Sequence, residues 1–179
     1  MDEKTARRFE EDLLQKRTIY LWGDVTANEA NRIGKLILWM NAKSESEQII
    51  LYLSTPGGDV TPALDVYDII RHSRAPVEGR VYRMAKSAGA LVLQACASRK
   101  AMPHAEIMMH SISVRKKLFE LEEDSEKALK DAKWLQQRTF EIFQERTKRP
   151  LEELKRVFRE EKSFNAQEAL EFGLIDEIL

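Results

Sequence analysis

Two patterns of hydrophobic residues alternate along the chain. Runs rich in apolar and β-branched residues at 18–22, 48–54 and 77–83 have the length of strands in a covered sheet. Between them, at 26–40 and 64–73, apolar residues recur at the spacing of one helical face. Strands and helices that alternate in this way predict right-handed βαβ units, a mostly parallel sheet and therefore an α/β fold.

The rest of the chain has mainly helical periodicity. It predicts an amphipathic lead helix at 2–16, a short strand at 107–110, and helices at 118–146, 150–158 and 165–172. The helix at 118–146 would have about eight turns, more than one small domain can cover. Its apolar residues are therefore expected to need a partner surface: Trp134, Leu135, Ile142 and Phe143.

Composition narrows the class of protein. The 179 residues show neither repeats nor a compositional break, so we expect one domain. A net charge of −1 gives no electrostatic footprint for nucleic acid or an anionic membrane. A highly charged start and the lack of a long apolar run predict a cytoplasmic protein. The lone Cys96 excludes an internal disulfide and is expected in the core.

The junction of a predicted strand and helix at Ser87 is a candidate for chemistry. Small residues surround the serine, among them Ala85, Ala88 and Gly89, and they permit a tight turn. A helix that begins here would direct free N–H groups at a bound group, as in a nucleophile elbow. The alternative is that Ser87 only caps the helix, because serine is a preferred N-cap residue.

Two further segments supply what acyl transfer at a serine requires. The turn that contains Gly57 and Gly58 follows the preceding parallel strand, so it should lie beside Ser87 and offer a backbone N–H to an oxyanion. A plain Pro-Gly turn is the alternative reading of this segment. His110 ends an apolar strand and is the best candidate base. Glu160 and Glu161 lie in a charged run that is also typical of a solvated face.

Four segments together resemble the proteolytic subunit of the Clp protease, ClpP. They are Thr55-Pro-Gly-Gly58, Met84-Ala-Lys-Ser-Ala-Gly-Ala90, the segment 102–110, and Asn165-Ala-Gln-Glu-Ala169 followed by 171–176. They stand in the family's order at compatible spacing, and the match covers nearly the whole chain from Thr18. The resemblance implies a ClpP/crotonase-type α/β fold with repeated β-β-α units, a mostly parallel sheet and a protruding handle helix.

The resemblance also implies a domain division and an activity. One domain, 1–179, would comprise a head of 17–117 and 148–179 and a handle of 118–147. It would be a serine endopeptidase for peptides and unfolded polypeptides, without metal or organic cofactor. Two alternatives are a non-catalytic ClpP-like structural subunit and a crotonase-like acyl-CoA enzyme, in which a serine at the elbow would be incidental.

Roles carry over to single residues of this chain. Ser87 would be the nucleophile and His110 the general base, and the N–H groups of Gly58 and Ala88 would form the oxyanion hole. Glu161 occupies the position of the family's acid, which is usually an aspartate, so its extra methylene has to be accommodated. Lys86 raises the question of a Ser–Lys dyad. We expect it to face away from Ser87 with its charge in solvent, and we prefer the Ser–His reading.

The family further implies a homo-oligomer, a heptameric ring either single or stacked in pairs. Coupling to a Clp-type ATPase stays open, since only about seventeen mostly charged residues precede the first strand. The segment 111–117 replaces the family's Gly-rich stretch, which affects the substrate-binding strand and the contact between rings. The positions that match the family's apolar docking cleft include two poorly suited residues, His72 and Arg80, beside Ile50, Tyr52 and Tyr82.

Overall fold

The computed structural model describes residues 2–112 and 122–179. Strands and helices alternate along most of this part of the chain. Its elements are α1 (Glu3–Gln15), β1 (Thr18–Trp22), α2 (Ala27–Lys43), β2 (Ile49–Thr55), α3 (Val60–His72), β3 (Val77–Lys86), α4 (Ala88–Ala95), β4 (Ser98–Ala101), β5 (Glu106–Met108), α5 (Glu122–Thr147), α6 (Leu151–Arg159), β6 (Ser163–Asn165), α7 (Ala166–Phe172) and β7 (Glu177–Ile178).

The sheet is organised around β3. Strands run in the order β1-β2-β3-β4-β7, and all of these neighbours are parallel. β3 is ten residues long, so its first half pairs with β4 and its last three residues pair with β5, again in parallel. β6 adds to β5 in the antiparallel direction. The mostly parallel α/β architecture predicted from the sequence is therefore confirmed.

α4 lies at the centre of the core. All eight of its residues are buried, and its composition of Ala, Gly, Leu, Val and Gln suits a helix covered on every side. The small residues let other backbone approach closely. A Cβ added at Gly89 would overlap the side chain of Thr55 at the end of β2. Close packing of α4 on β2 thus fixes where the helix begins, which is where Ser87 lies.

Helix boundaries follow from local capping. Thr26 accepts a hydrogen bond from the N–H of Glu29 at the start of α2, as its N-cap position predicts. Asn165 and Glu168 form a reciprocal capping box at the start of α7, and Gly173 ends that helix with φ 89°. The predicted helices are confirmed within a few residues. The predicted helix from 118 is described only from Glu122, and 118–121 lie outside the described residues.

The strands were predicted less completely. β3 extends to Lys86 instead of ending at 83, and β5 ends at Met108, before His110. β4, β6 and β7 were not predicted, because they have two to four residues and include charged or polar ones. Such strands depend on their neighbours in the sheet, not on a hydrophobic pattern of their own. Cys96 is buried as expected, and burial raises the pKa of its thiol to about 12.

α5 divides into a packed half and an exposed half. Phe140 and Phe143 are buried and contact the ring of Phe158 on α6 edge-on, while Ile142 packs against the core. The expectation that Phe143 needs an external partner is therefore wrong, since Phe158 of α6 packs against it in the core. Ile142 is partly buried. Leu129 and Trp134 nearer the start of the helix remain exposed.

No helix in the described ranges combines the length and the apolar character needed to cross a membrane.

Candidate active site

Ser87 occupies a strained turn between β3 and α4. Its φ of 52° and ψ of −118° lie outside the conformations that a residue with a side chain ordinarily adopts. Its backbone N–H donates to the carbonyl of Met108 at 2.8 Å, which extends the β3–β5 pairing by one step. Its side chain makes no capping hydrogen bond to α4. The reading of Ser87 as a simple helix cap is therefore wrong, and the hydroxyl is available for another partner.

That partner is His110. Ser87 Oγ and His110 Nε2 are 2.7 Å apart, so with Nε2 unprotonated the hydroxyl donates to the imidazole. Both side chains are partly buried. The contact follows from the sheet, because β5 pairs Met108 with Lys86 and His110 stands two residues further on. The two residues that the sequence singled out as nucleophile and base are thus in direct contact.

The turn with Gly57 and Gly58 lies beside this pair. It is held by a short bridge to Val25, whose N–H donates to the Gly57 carbonyl at 2.7 Å and whose carbonyl accepts from Asp59 at 2.9 Å. The Gly57 N–H donates to Thr55 Oγ1 at 3.0 Å. None of these three hydrogen bonds uses the N–H of Gly58, because the bridge to Val25 is formed by the Gly57 carbonyl and the Asp59 N–H.

Glycine is needed at both positions of this turn. φ is 108° at Gly57 and 147° at Gly58, which a side chain rarely permits. A Cβ on Gly57 would also lie 2.7 Å from Ser87 Cβ and 2.8 Å from the Lys86 carbonyl oxygen. A Cβ on Gly58 would overlap the Val25 backbone. A plain Pro-Gly turn would not require this close approach of Gly57 to Ser87, so the contact argues against that alternative.

A second N–H source is Ala88. It is the first residue of α4, where a backbone N–H has no acceptor within the helix and lies at the positive end of the helix dipole. Gly58, Ser87, Ala88 and His110 line one cavity of about 360 Å³. The arrangement can therefore present a nucleophile, a base and two backbone donors to one bound group.

The far wall of the cavity comes from parts of the chain distant in sequence. It includes Leu135, Thr139 and Phe143 of α5 and Phe158 of α6. Sequence reasoning missed these residues as part of the site. Their helical spacing marked an apolar face, but nothing local showed that this face covers the cavity beside Ser87.

The backbone segments that carry Glu161 and His110 are hydrogen-bonded to each other, but the two side chains are not. The Lys162 carbonyl accepts from the Met109 N–H at 3.3 Å, and the Phe158 carbonyl accepts from the Ser111 N–H at 3.1 Å. The β5–β6 register, continued from Met108↔Ser163, would place Glu161 opposite His110. At Glu161 the chain turns with φ 50°, and its side chain is exposed. Within the described ranges, no carboxylate is hydrogen-bonded to His110.

A comparison with known protein families identifies the family of this chain. A family model described as Clp protease matches residues 2–179, essentially the whole chain. The chain belongs to the Clp protease family. The α/β fold and the resemblance found in the sequence agree with this membership, and peptidase activity of the ClpP type is what the family carries in general.

The position of Lys86 in this Clp protease site differs from the expectation that its charge lies in solvent. Its ammonium is 2.7 Å from Glu106 Oε2 on β5 and three-quarters of the side chain is covered, so its charge is paired instead of lying in solvent. Hydrogen bonds from Lys86 and then Ser163 hold the pKa of the Glu106 carboxyl below its ordinary value. The amine is therefore engaged on the sheet surface by a carboxylate.

The surface that carries Tyr52, Arg80 and Tyr82 is polar as well as aromatic. Arg80 pairs with the buried Glu78 and donates to the Tyr52 hydroxyl at 3.1 Å. Burial by itself would raise the pKa of Glu78, but the hydrogen bond and charge of Arg80, together with Gln48 and Lys100, outweigh it and hold that pKa low. Arg80 therefore places a charge among the positions that the resemblance matches to an apolar docking cleft. His72 is exposed at the end of α3.

Metal ligands do not gather at the site. Within residues 2–112 and 122–179, no group of three or more His, Cys, Asp and Glu side chains has an arrangement that could hold a metal ion.

Contact between Gly57 and Ser87 yields a prediction. We expect Gly57→Ala to displace Ser87 and to slow its reaction with a fluorophosphonate probe by about 100-fold, as an error near 1 Å at a reacting group commonly does. Gly23→Ala is the matched control, since Gly23 also has positive φ, 83°, yet has no atom within 4 Å of an added Cβ. Equal labelling rates for the two variants would contradict the assigned contact.

Proposed function

We propose that this Clp protease family member is a serine endopeptidase that hydrolyses peptides and unfolded polypeptides. The observation that supports this most strongly is the 2.7 Å contact between Ser87 Oγ and His110 Nε2, at a strained turn without a capping role for the serine. A strained backbone at a paired nucleophile and base is typical of an acyl-transfer site. The two backbone donors beside it favour the same reaction class.

The chemistry follows from these groups. His110 Nε2 accepts the proton of the Ser87 hydroxyl while Oγ attacks the carbonyl carbon of the scissile peptide bond. The imidazolium then donates that proton to the leaving amine, and the C–N bond breaks to leave an acyl-enzyme ester on Oγ. Water, activated by the same imidazole, attacks the ester carbonyl and releases the carboxylic acid product, which restores the Ser87 hydroxyl.

Gly58 and Ala88 have a defined role in this scheme. Negative charge develops on the carbonyl oxygen as the carbon becomes tetrahedral, and both N–H groups border the cavity where that oxygen would lie. Gly57 has no such role, because its N–H is already bonded to Thr55 Oγ1. The apolar wall of Leu135, Phe143 and Phe158 would exclude water and strengthen these interactions.

Glu161 is proposed as the third member of the triad. The β5–β6 register, continued past Ser163, would place Glu161 opposite His110. No carboxylate in the described ranges is hydrogen-bonded to the imidazole, so Glu161 is the candidate nearest in the register. The longer Glu side chain has to fold back to reach Nδ1 from an exposed position. The role of Glu161 is to hold the imidazole in the tautomer that leaves Nε2 free to accept a proton.

Self-assembly is the second part of the proposal. Leu129 and Trp134 on α5 are 50% and 57% exposed, so the first half of that helix offers apolar surface to a neighbouring chain. We assign this half to the handle and expect a heptameric ring, single or stacked in pairs. A cytoplasmic location and docking of a Clp-type ATPase stay predictions from the sequence.

Ser87→Ala tests the proposal. It should lower the kcat for a fluorogenic peptide by roughly 10³- to 10⁶-fold and abolish fluorophosphonate labelling, because the nucleophile is lost. Sedimentation velocity should show the same assembly as the native chain. Ser98→Ala, a serine on β4, is the control and should be labelled normally. Undiminished turnover by Ser87→Ala would refute the assignment, and an active monomer would refute the ring.

A comparison at two adjacent glutamates tests the role of Glu161. Glu161→Ala should lower kcat by about 10- to 10⁴-fold, the upper figure being typical of a triad whose acid fixes the tautomer. Glu161→Asp should retain or raise activity. Glu160→Ala is the matched control and should keep native kinetics. If Glu160→Ala shows the loss, or if neither alanine variant does, Glu161 is not the acid.

A further inference from the structure

Three strands that carry the proposed catalytic residues are joined by a chain of polar side chains. Lys86 at the end of β3 is paired with Glu106 Oε2 of β5 at 2.7 Å. Ser163 of β6 lies on the same face of the sheet, and hydrogen bonding from Lys86 and then Ser163 lowers the pKa of the Glu106 carboxyl. Lys86 directly precedes Ser87, and Glu106 begins the strand that leads to His110. Ser163 follows Glu161 by two residues. One carboxylate thus touches all three strands.

The geometry of these contacts is diagonal. In the backbone register, Met84 lies opposite Glu106, Lys86 opposite Met108, and Met108 opposite Ser163. Residues two apart on a strand share a face of the sheet, so Lys86, Glu106 and Ser163 lie on one face. The opposite face of these strands holds buried Ala85, Ile107 and Phe164. The three polar side chains therefore cross the strands on the face turned away from the core.

Short strands make such cross-links significant. β5 has three residues, and it is paired with β3 and β6 through three residues each. A ladder of this length holds its register weakly, yet a shift by one residue would move every side chain of β5 to the other face. Because Ser87 bonds to Met108 and contacts His110, such a shift would separate the nucleophile from the base.

We propose that Lys86, Glu106 and Ser163 form a positioning network that fixes the register of β5 against β3 and β6. The inference rests on the proposed peptidase function and assigns these residues no contact with substrate. In this network Lys86 acts through Glu106, and it takes no proton from Ser87. The low pKa of the Glu106 carboxyl agrees with an ionised bridge between Lys86 and Ser163.

Charge removal and charge reversal test the network. Lys86→Met and Glu106→Gln should each lower kcat by about 10- to 100-fold with KM changed less than about threefold, because the reacting groups are displaced but the cavity is kept. Fluorophosphonate labelling of Ser87 should slow by the same factor as kcat. The double variant Lys86→Glu with Glu106→Lys should recover most of the loss, since it restores an ion pair across the same two strands.

Two ion pairs away from the site serve as controls. Glu177 on β7 pairs with Lys100 on β4 at 2.7 Å, so Glu177→Gln removes a cross-strand pair of the same chemistry and length as Glu106→Gln does. Lys155 on α6 pairs with Glu152 at 2.8 Å, so Lys155→Met matches Lys86→Met. Both controls should keep native kcat. Urea unfolding of all variants separates a general loss of stability from a loss of position.

Each remaining outcome overturns the network. If kcat of Lys86→Met and Glu106→Gln stays within about twofold of native, the pair has no positioning role. If Lys86→Met abolishes labelling and the charge reversal restores nothing, Lys86 is itself the base. If the control variants lose as much kcat as the network variants, the effect is one of stability. Absence of labelling in the native protein would instead overturn the peptidase proposal, and the network with it.

Discussion

The pairing of β3 with a strand on each side is the constraint on which the candidate site depends. Ala85 lies opposite Thr55 of β2 and opposite Ile107 of β5, so one row across three parallel strands sets the site. Just beyond this row, β2 turns at Gly57, β3 turns at Ser87, and β5 leads to His110. Parallel strands end at the same edge, which brings a glycine turn, a nucleophile and a base together from segments far apart in sequence. The hydrogen-bonded sheet therefore fixes the distances between the glycine turn, the serine and the histidine, and it holds them more rigidly than loops would.

Close packing at this edge is what keeps Ser87 in a strained conformation. Its positive φ costs energy, and such a conformation persists only when the surroundings determine it fully. Here the Met108 carbonyl holds the Ser87 N–H, Gly57 packs against its Cβ, and Gly89 lets α4 approach Thr55. The serine is thereby prevented from adopting the ordinary capping geometry and presents its hydroxyl to His110. Local strain and global packing are thus parts of one arrangement.

Sequence reasoning predicted what depends on local pattern and failed where distant neighbours decide. The α/β alternation and the proximity of Ser87 to His110 followed from periodicity and from motifs in known order. β4 was missed, because Ser98–Ala101 becomes a strand only through β3 and β7. Phe143 was assigned to a partner surface, although Phe158 of α6 covers it. The sequence of one helix does not reveal which other helix packs against it. The pairing of Lys86 with Glu106 likewise depends on the register between β3 and β5, which the segment 87–105 between them does not reveal.

The central claim is that Ser87 is an activated nucleophile facing two backbone donors, and a structure of the fluorophosphonate adduct tests it most directly. We predict a covalent bond from Ser87 Oγ to phosphorus, with the phosphonyl oxygen about 2.7–3.1 Å from the backbone nitrogens of Gly58 and Ala88 and with His110 Nε2 close to Oγ. That oxygen stands in for the oxyanion of the tetrahedral intermediate. An adduct on a different residue, or a phosphonyl oxygen that faces solvent and contacts neither N–H, would contradict the account.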